Sequence, residues 1–252
     1  DVDKRLEVIG NYTNGQHMTT INGNWISNVV NVTAEYVVLE KIRVINSGNN
    51  SQWGNHDEGI SIDDDWCEIE NVFVENNKFG IYVIDGVDNT FISGSKIINN
   101  TQAGIFLRDG YASVDNNTIS GNYKGIDMYY ATDVEFYYND VIENDEEGIH
   151  ADRASYQTYY GNNISNNGES GIILSASGEQ SGRGKYNLFK NNIINDNDGS
   201  GIYIIDEANN NTFIGNEFKD NNYGIRVMAS PDNLFINNVI EGEVWDILVS
   251  DN

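Results

Sequence analysis

Gly80-Ile81-Tyr82-Val83-Ile84, then Thr90-Phe91-Ile92-Ser93, then Lys96-Ile97-Ile98-Asn99-Asn100, form one unit of a pattern that recurs along the 252-residue chain. The Gly-Ile dipeptide returns at Gly59, Gly80, Gly104, Gly125, Gly148, Gly171, Gly201 and Gly224, at intervals of 21, 24, 21, 23, 23, 30 and 23 residues. Val29-Val30 and Asp246-Ile247 continue the pattern outward. After each Gly-Ile the apolar residues alternate, so Ile81 and Val83 face one way and Tyr82 the other, as in a strand with one buried face. Two more short apolar runs follow before the next Gly-Ile, joined by turns too short for helices. Three strands per repeat of this length wind one coil of a solenoid.

The fold class is therefore all-β: a right-handed single-stranded parallel β-helix of about ten rungs, one domain over residues 1–252. Rungs ~4.8 Å apart make a rod of roughly 48 Å. The 30-residue repeats place insertion loops at about 47–58 and 177–185, both rich in Gly, Ser and charge. Asparagine recurs four residues before Gly-Ile, at Asn55, Asn76, Asn100, Asn144, Asn167 and Asn197. It recurs nine before at Asn71, Asn116, Asn139, Asn162, Asn192 and Asn237. An amide both donates and accepts, so these two sets are expected to stack as ladders.

Lys and Arg total 14 against 39 Asp and Glu, a net charge of −25 that excludes phosphate backbones as partners. No apolar run approaches the eighteen or so residues of a membrane-spanning helix. Cys67 is the only cysteine, so no intrachain disulfide forms; alternating with Ile69, it is expected in the core. The opening at Asp1 fits a processed protein or an excised domain.

The Gly-Ile-x-apolar and Asn-Asn units resemble the parallel β-helix repeat superfamily, which includes NosD-like proteins and the carbohydrate-binding and sugar-hydrolase, pectin-lyase-like solenoids. The opening, Lys4 to Gly10 followed by Thr20-Ile21-Asn22-Gly23-Asn24, resembles the first rungs of such proteins. The resemblance covers nearly the whole chain and implies an extracellular or cell-surface setting and polysaccharide ligands. It does not carry over complete catalytic motifs. Of the Tyr-Gly-Phe-Asp-Pro-His type motif of alginate epimerases, Lys124-Gly125-Ile126-Asp127-Met128-Tyr129 retains Asp127 but neither the leading Tyr nor the His. Asp63-Asp64-Asp65 lacks the remaining parts of a polygalacturonase-like set. Three His, three Met and one Cys do not make the copper cluster that metal handling by a NosD-like protein would need.

Stacking the repeats brings outward residues into columns, and Arg108, Asp127, Tyr129, His150 and Asp152 fall into one patch with Tyr130 and Arg153 at its edge. A carboxylate beside an imidazole, with tyrosines for stacking or proton transfer, is the equipment of hydrolysis, elimination or epimerisation. Asp64, Asp85 and Asp109 form a second file. Their repulsion, about 3 kcal/mol per neighbouring pair at an effective dielectric of 20, would be relieved by calcium, with Asp63 and Glu58 nearby. Tyr82, Ile84, Phe106, Ile173, Tyr203 and Ile205 are outward apolar residues that sugar rings or another protein surface would cover. Glycosylation sequons occur at Asn11, Asn31, Asn49, Asn99, Asn116, Asn163 and Asn210.

Neither terminal run, Leu6 to Ile9 or Trp245 to Val249, is followed by an evident cap, so self-association through the end rungs or the apolar column is expected. The first functional reading is a non-catalytic extracellular or cell-surface scaffold or assembling subunit. The alternative is a polysaccharide-binding or polysaccharide-modifying β-helix working at Asp127 and His150.

Overall fold

The computed structural model describes residues 6–11, 19–48, 57–176 and 183–250. Among them lie thirty strands and no helix, so none long and apolar enough to cross a membrane. The strands fall into three parallel sheets of ten, with strands Thr90–Ser93, Lys96–Ile98 and Ala103–Arg108 belonging to the first, second and third respectively. Each strand pairs with its counterparts one coil before and one coil after, giving the expected right-handed β-helix.

Register follows the Gly-Ile repeat: Ile81, Ile105, Ile126, Ile149, Ile172, Ile202 and Ile225 are successive partners in the third sheet. All seven are buried, each worth ~1.5–3 kcal/mol of hydrophobic stabilisation. The preceding glycine is needed for close approach. A Cβ on Gly80 would sit 2.4 Å from the Gly104 carbonyl oxygen and 2.7 Å from Ile97 Cγ2. Cys67 is buried in the core, as its alternation indicates.

The corners are built from a two-residue device. One residue adopts a left-handed backbone and points outward, as at Asn76 (φ 55°), Asn99 (φ 55°) and Asn116 (φ 54°). The next turns its side chain inward beneath the corner. Asn100 donates from its backbone N–H to Asn122 Oδ1 at 3.0 Å and from its amide to the same oxygen at 2.8 Å. Asn122 repeats both bonds to Asn144, and its amide also donates to the Ile97 carbonyl at 3.1 Å.

This device corrects the expected ladders. Asn100, Asn144, Asn167, Asn197, Asn139, Asn162 and Asn192 are rungs as read. Asn71, Asn76, Asn116 and Asn237 are instead the outward, positive-φ members, and Asn77, Asn117 and Asn238 beside three of them do the laddering. In such pairs an outward asparagine is favoured for its tolerance of the left-handed conformation, the inward one for its amide. A third ladder, Gln157–Asn187–Asn211–Asn233, was not anticipated. Asn55 lies outside the described residues, as does most of each expected insertion. Of the first, Glu58 already begins the strand Glu58–Ile62.

Inside the first sheet, Phe136, Tyr159, Phe189, Phe213 and Phe235 stack ring on ring, with centroids 4.2–4.8 Å apart. The Tyr159 hydroxyl is buried there without a hydrogen-bond partner, and burial drives its pKa far upward. Tyr159→Phe is expected to keep the stack and raise the urea midpoint, since an orphan polar group costs about 1–3 kcal/mol. Adjacent asparagines separate the two corner roles. Asn100→Ala, which strands buried ladder donors, is expected to cost about 2–3 kcal/mol, and Asn99→Ala only about 1 kcal/mol of left-handed strain. Equal losses of urea midpoint would contradict this division of labour.

Candidate functional site

The third sheet presents two parallel outward files. In the first, Tyr82, Phe106, Asp127, His150, Ile173, Tyr203 and Arg226 are register partners in that order. In the second, Arg108, Tyr129, Asp152, Ser175 and Ile205 follow one another. The columns read from the sequence are thus present, and Asp127 lies directly beside His150.

His150 Nδ1 and Asp127 Oδ1 are 2.8 Å apart, both side chains about a quarter exposed. With Nδ1–H donating to the carboxylate, neutral imidazole keeps Nε2 as its acceptor, the arrangement of a held general base. One position along, Arg153 donates to the Tyr129 hydroxyl at 2.8 Å and to the Tyr130 hydroxyl. Its guanidinium lies 5.2 Å from the Tyr129 ring centre and 4.8 Å from that of Tyr130. Asp152 accepts from Ser175 Oγ at 2.8 Å and stands 3.8 Å from Arg153 Nε.

Arg183 was missed by sequence reasoning. Its guanidinium lies 4.6 Å from the Tyr130 ring centre and donates to the Tyr130 carbonyl at 3.2 Å. It falls in the expected 177–185 insertion, whose length was the only signal that something extra is delivered at this rung.

Arg108, expected in the same patch, stands beside Tyr129 in register while its side chain contacts the preceding coil. Its Nε pairs with Asp85 Oδ1 at 2.7 Å, and it hydrogen-bonds Tyr82. Asp85 is thereby engaged by a cation, while Asp64 Oδ1 accepts from the Asp65 N–H at 3.0 Å and Asp109 sits exposed in a left-handed turn (φ 43°). Among the described residues no three or more His, Cys, Asp or Glu side chains converge closely enough to hold a metal ion.

The apolar column is more covered than its outward direction implies. Tyr82 is buried, stacked on Phe106 at 4.8 Å and flanked by Phe79 at 5.5 Å. Ile84, Phe106, Ile173, Tyr203 and Ile205 are half-buried. Of the sequons, Asn11, Asn31, Asn99, Asn116 and Asn210 are exposed, Asn163 is half-buried with its amide donating to Asp140 at 3.1 Å, and Asn49 lies outside the described residues.

Beyond His150, a groove of about 350 Å³ crosses the strands Ile172–Ser175, Ser200–Ile205 and Tyr223–Met228. Ile173, Tyr203 and Arg226 contribute from the sheet, and Glu169 and Asp198 from the turns that enter it. The Arg226 guanidinium lies 4.4 Å from the Tyr203 ring centre. Burial, with Glu147 and Glu146 nearby, holds the Glu169 carboxyl above the usual carboxylate range.

A family model described as right handed beta helix region matches residues 9–181 and 80–240. No curated protein matches the sequence. Among solved structures, the chain resembles the periplasmic alginate epimerase AlgG with a TM-score of 0.64 and 14% identity, covering 87% of this chain and 61% of that one. It resembles the Dettilon tailspike protein with a TM-score of 0.66 and 17% identity, covering 89% of this chain and 55% of that one. It resembles the pectate lyase Pel9A with a TM-score of 0.62 and 16% identity, covering 96% and 70%. At such identities the likeness is one of fold, and the chain spans less than two thirds of the epimerase and of the tailspike.

Burial raises the Tyr82 phenol pKa, and the hydrogen bond and charge of Arg108 pull it back down. Because the folded pKa lies above the unfolded value, the stability Tyr82 contributes is complete below the unfolded pKa of about 10 and is lost as pH rises through the folded one. Arg108→Gln removes the opposing influence and should move this titration still higher. The check is an ultraviolet tyrosine titration, with Tyr82→Phe identifying the component; a downward move would contradict the assignment.

Proposed function

The chain belongs to the right-handed β-helix family, and from that premise we propose that the outer face of its third sheet binds a polysaccharide on which Asp127 and His150 perform acid–base chemistry. The observation that carries this reading is the 2.8 Å contact between His150 Nδ1 and Asp127 Oδ1. It lies between aromatic Tyr82 and Phe106 on one side and the groove at Ile173 and Tyr203 on the other, all in one file. A glycan running along the solenoid axis would place apolar ring faces on the half-buried Phe106 and Tyr203 and a reacting sugar over the imidazole.

In this reading Asp127 fixes the tautomer and orientation of His150, and Nε2 accepts the proton leaving the sugar. Tyr129, whose hydroxyl is held by Arg153, stands on the same strand as Asp127 as the partner that returns one. Arg153 and Arg183 supply positive charge beside it for negative charge developing in the transition state. That neighbouring folds include a periplasmic alginate epimerase and a pectate lyase supports a carbohydrate substrate and an extracytoplasmic setting.

A screen of acidic and neutral polysaccharides for cleavage, unsaturated product or changed stereochemistry tests the reading. His150→Ala and Asp127→Asn are each expected to lower the rate about 10²–10⁴-fold, with affinity for the same polysaccharide kept. Unchanged turnover in both variants would remove the dyad from the chemistry.

A second reading, a non-catalytic assembling scaffold, is favoured by a different observation. In the last described coil Trp245, Ile247 and Val249 are 58%, 56% and 67% exposed. Further protein, including a second copy of the chain, would cover them, and the tailspike likeness is in keeping with this. Sedimentation across a concentration series is expected to show self-association under this reading, and a monomer throughout would count against it.

A further inference from the structure

The groove next to His150 has walls of unequal chemistry. Glu169 and Asp198 stand on the turns, with Glu147 and Glu146 one coil earlier. Against these four carboxylates stand two cations, Lys124 and Arg226. Lys124 is committed to Glu147 at 3.0 Å. Arg226 is laid over Tyr203 at 4.4 Å and Tyr223 at 5.5 Å. Arg226 Nε is shielded from water, yet no acceptor reaches it.

A ligand completing this groove must bring three things: an apolar face for Ile173 and Tyr203, an oxygen acceptor for the Arg226 guanidinium that lines it, and positive charge for the Glu169 and Asp198 side. A polyanion fails the third requirement and meets the field of a chain carrying −25. A sugar ring bearing an ammonium group meets all three, through its C–H face, its hydroxyls and its amine. The volume of about 350 Å³ lies within the range of small-ligand sites.

We propose that this groove is a subsite for a basic amino-sugar unit, with Glu169 and Asp198 facing the amine, Tyr203 and Ile173 under the ring, and the Arg226 guanidinium that lines it donating to a ring or hydroxyl oxygen. The assignment rests on the carbohydrate reading above and names the class of sugar. It also agrees with the raised Glu169 pKa, because a neighbouring ammonium would offset the repulsion from Glu146 and Glu147.

Titration calorimetry on the full chain tests it, using a glucosamine hexamer, its fully N-acetylated counterpart and a galacturonate hexamer as probes. The glucosamine hexamer is expected to bind about tenfold more tightly than the acetylated one, as fits exchanging a charged hydrogen bond for a neutral one. Glu169→Gln should erase that difference while keeping the acetylated hexamer bound, and Tyr203→Ala should weaken both. Asp140→Asn, which removes equal charge from the second sheet, should leave every affinity unchanged. If it weakens the amine probe as much as Glu169→Gln does, the attraction is long-range charge alone and the subsite is overturned. Preference for the acetylated or the galacturonate hexamer, or no binding of the glucosamine hexamer, overturns it too. The carbohydrate reading itself falls only if the wider polysaccharide screen is also silent.

Discussion

Everything in this molecule depends on how the chain turns a corner while leaving no buried backbone group unpaired. Strands one coil apart satisfy each other, but at each corner the backbone leaves the ladder of sheet hydrogen bonds, and the groups inside have no water to turn to. The inward amides close that gap. Asn144 shows the full set: its oxygen accepts from the Asn122 backbone and side chain at 3.1 Å each, and its amide donates to Asn167 at 2.9 Å and to the Ile119 carbonyl at 3.3 Å. An amide can do this only when a matching polar group lies directly above and below, usually another asparagine and at the ends of a run Gln157, Ser95 or Glu243. The ladder therefore requires in-register stacking and also enforces it.

Register is what turns a repeat into a site. A slip of one residue would exchange the Ile81 face with the Tyr82 face in every coil. With the slip forbidden, a residue's place along its strand fixes its neighbours in the coils above and below. Asp127 and His150 are 23 residues apart in the chain and 2.8 Å apart in space for that reason. The pair needs no loop to bring it together and has little freedom to come apart, which is the preorganisation acid–base chemistry exploits.

The sequence disclosed what depends on period and hid what depends on phase or on side-chain reach. Gly-Ile announced the coil, and two-residue alternation placed Asp127, His150, Tyr129 and Asp152 in the outward files where they are found. The ladders were harder, because in Asn99-Asn100 or Asn116-Asn117 composition alone does not say which asparagine turns and which one stacks. At Tyr138-Asn139 a tyrosine takes the turning position (φ 54°), so even the outward residue is not constant. Arg108 escaped for a different reason. Its backbone is where the column puts it, but a long side chain chooses among partners, and Asp85 and Tyr82 on the preceding coil won over Tyr129 and Asp127. Arg183 belongs to no column, so no count of residues could have placed it against Tyr130.

Strand length favours the third sheet over the other two as a surface for chemistry, with the His150 strand, Ile149–Asp152, at the short end of its range. Strands of the first and second sheets run three or four residues, as in Glu135–Tyr137 and Asp140–Ile142. With inward and outward positions alternating, such a strand carries one or two outward residues per coil. Third-sheet strands reach six residues, as in Lys124–Tyr129, Ser200–Ile205 and Tyr223–Met228, and carry at least two outward files with a turn at each side. Two files are the least that can set a base beside its orienting partner and a second polar group alongside, as His150, Asp127 and Tyr129 do. In the coils around His150 the turns at the edges differ in sign, with Glu146 and Glu169 where the chain enters the sheet and Arg153 and Arg183 where it leaves, whereas Asp64, Asp85 and Asp109 hold the leaving side in earlier coils. A chain lying along this strip therefore meets opposite charge on its two flanks beside His150 and not in the earlier coils, which sets that stretch apart on an otherwise repetitive surface.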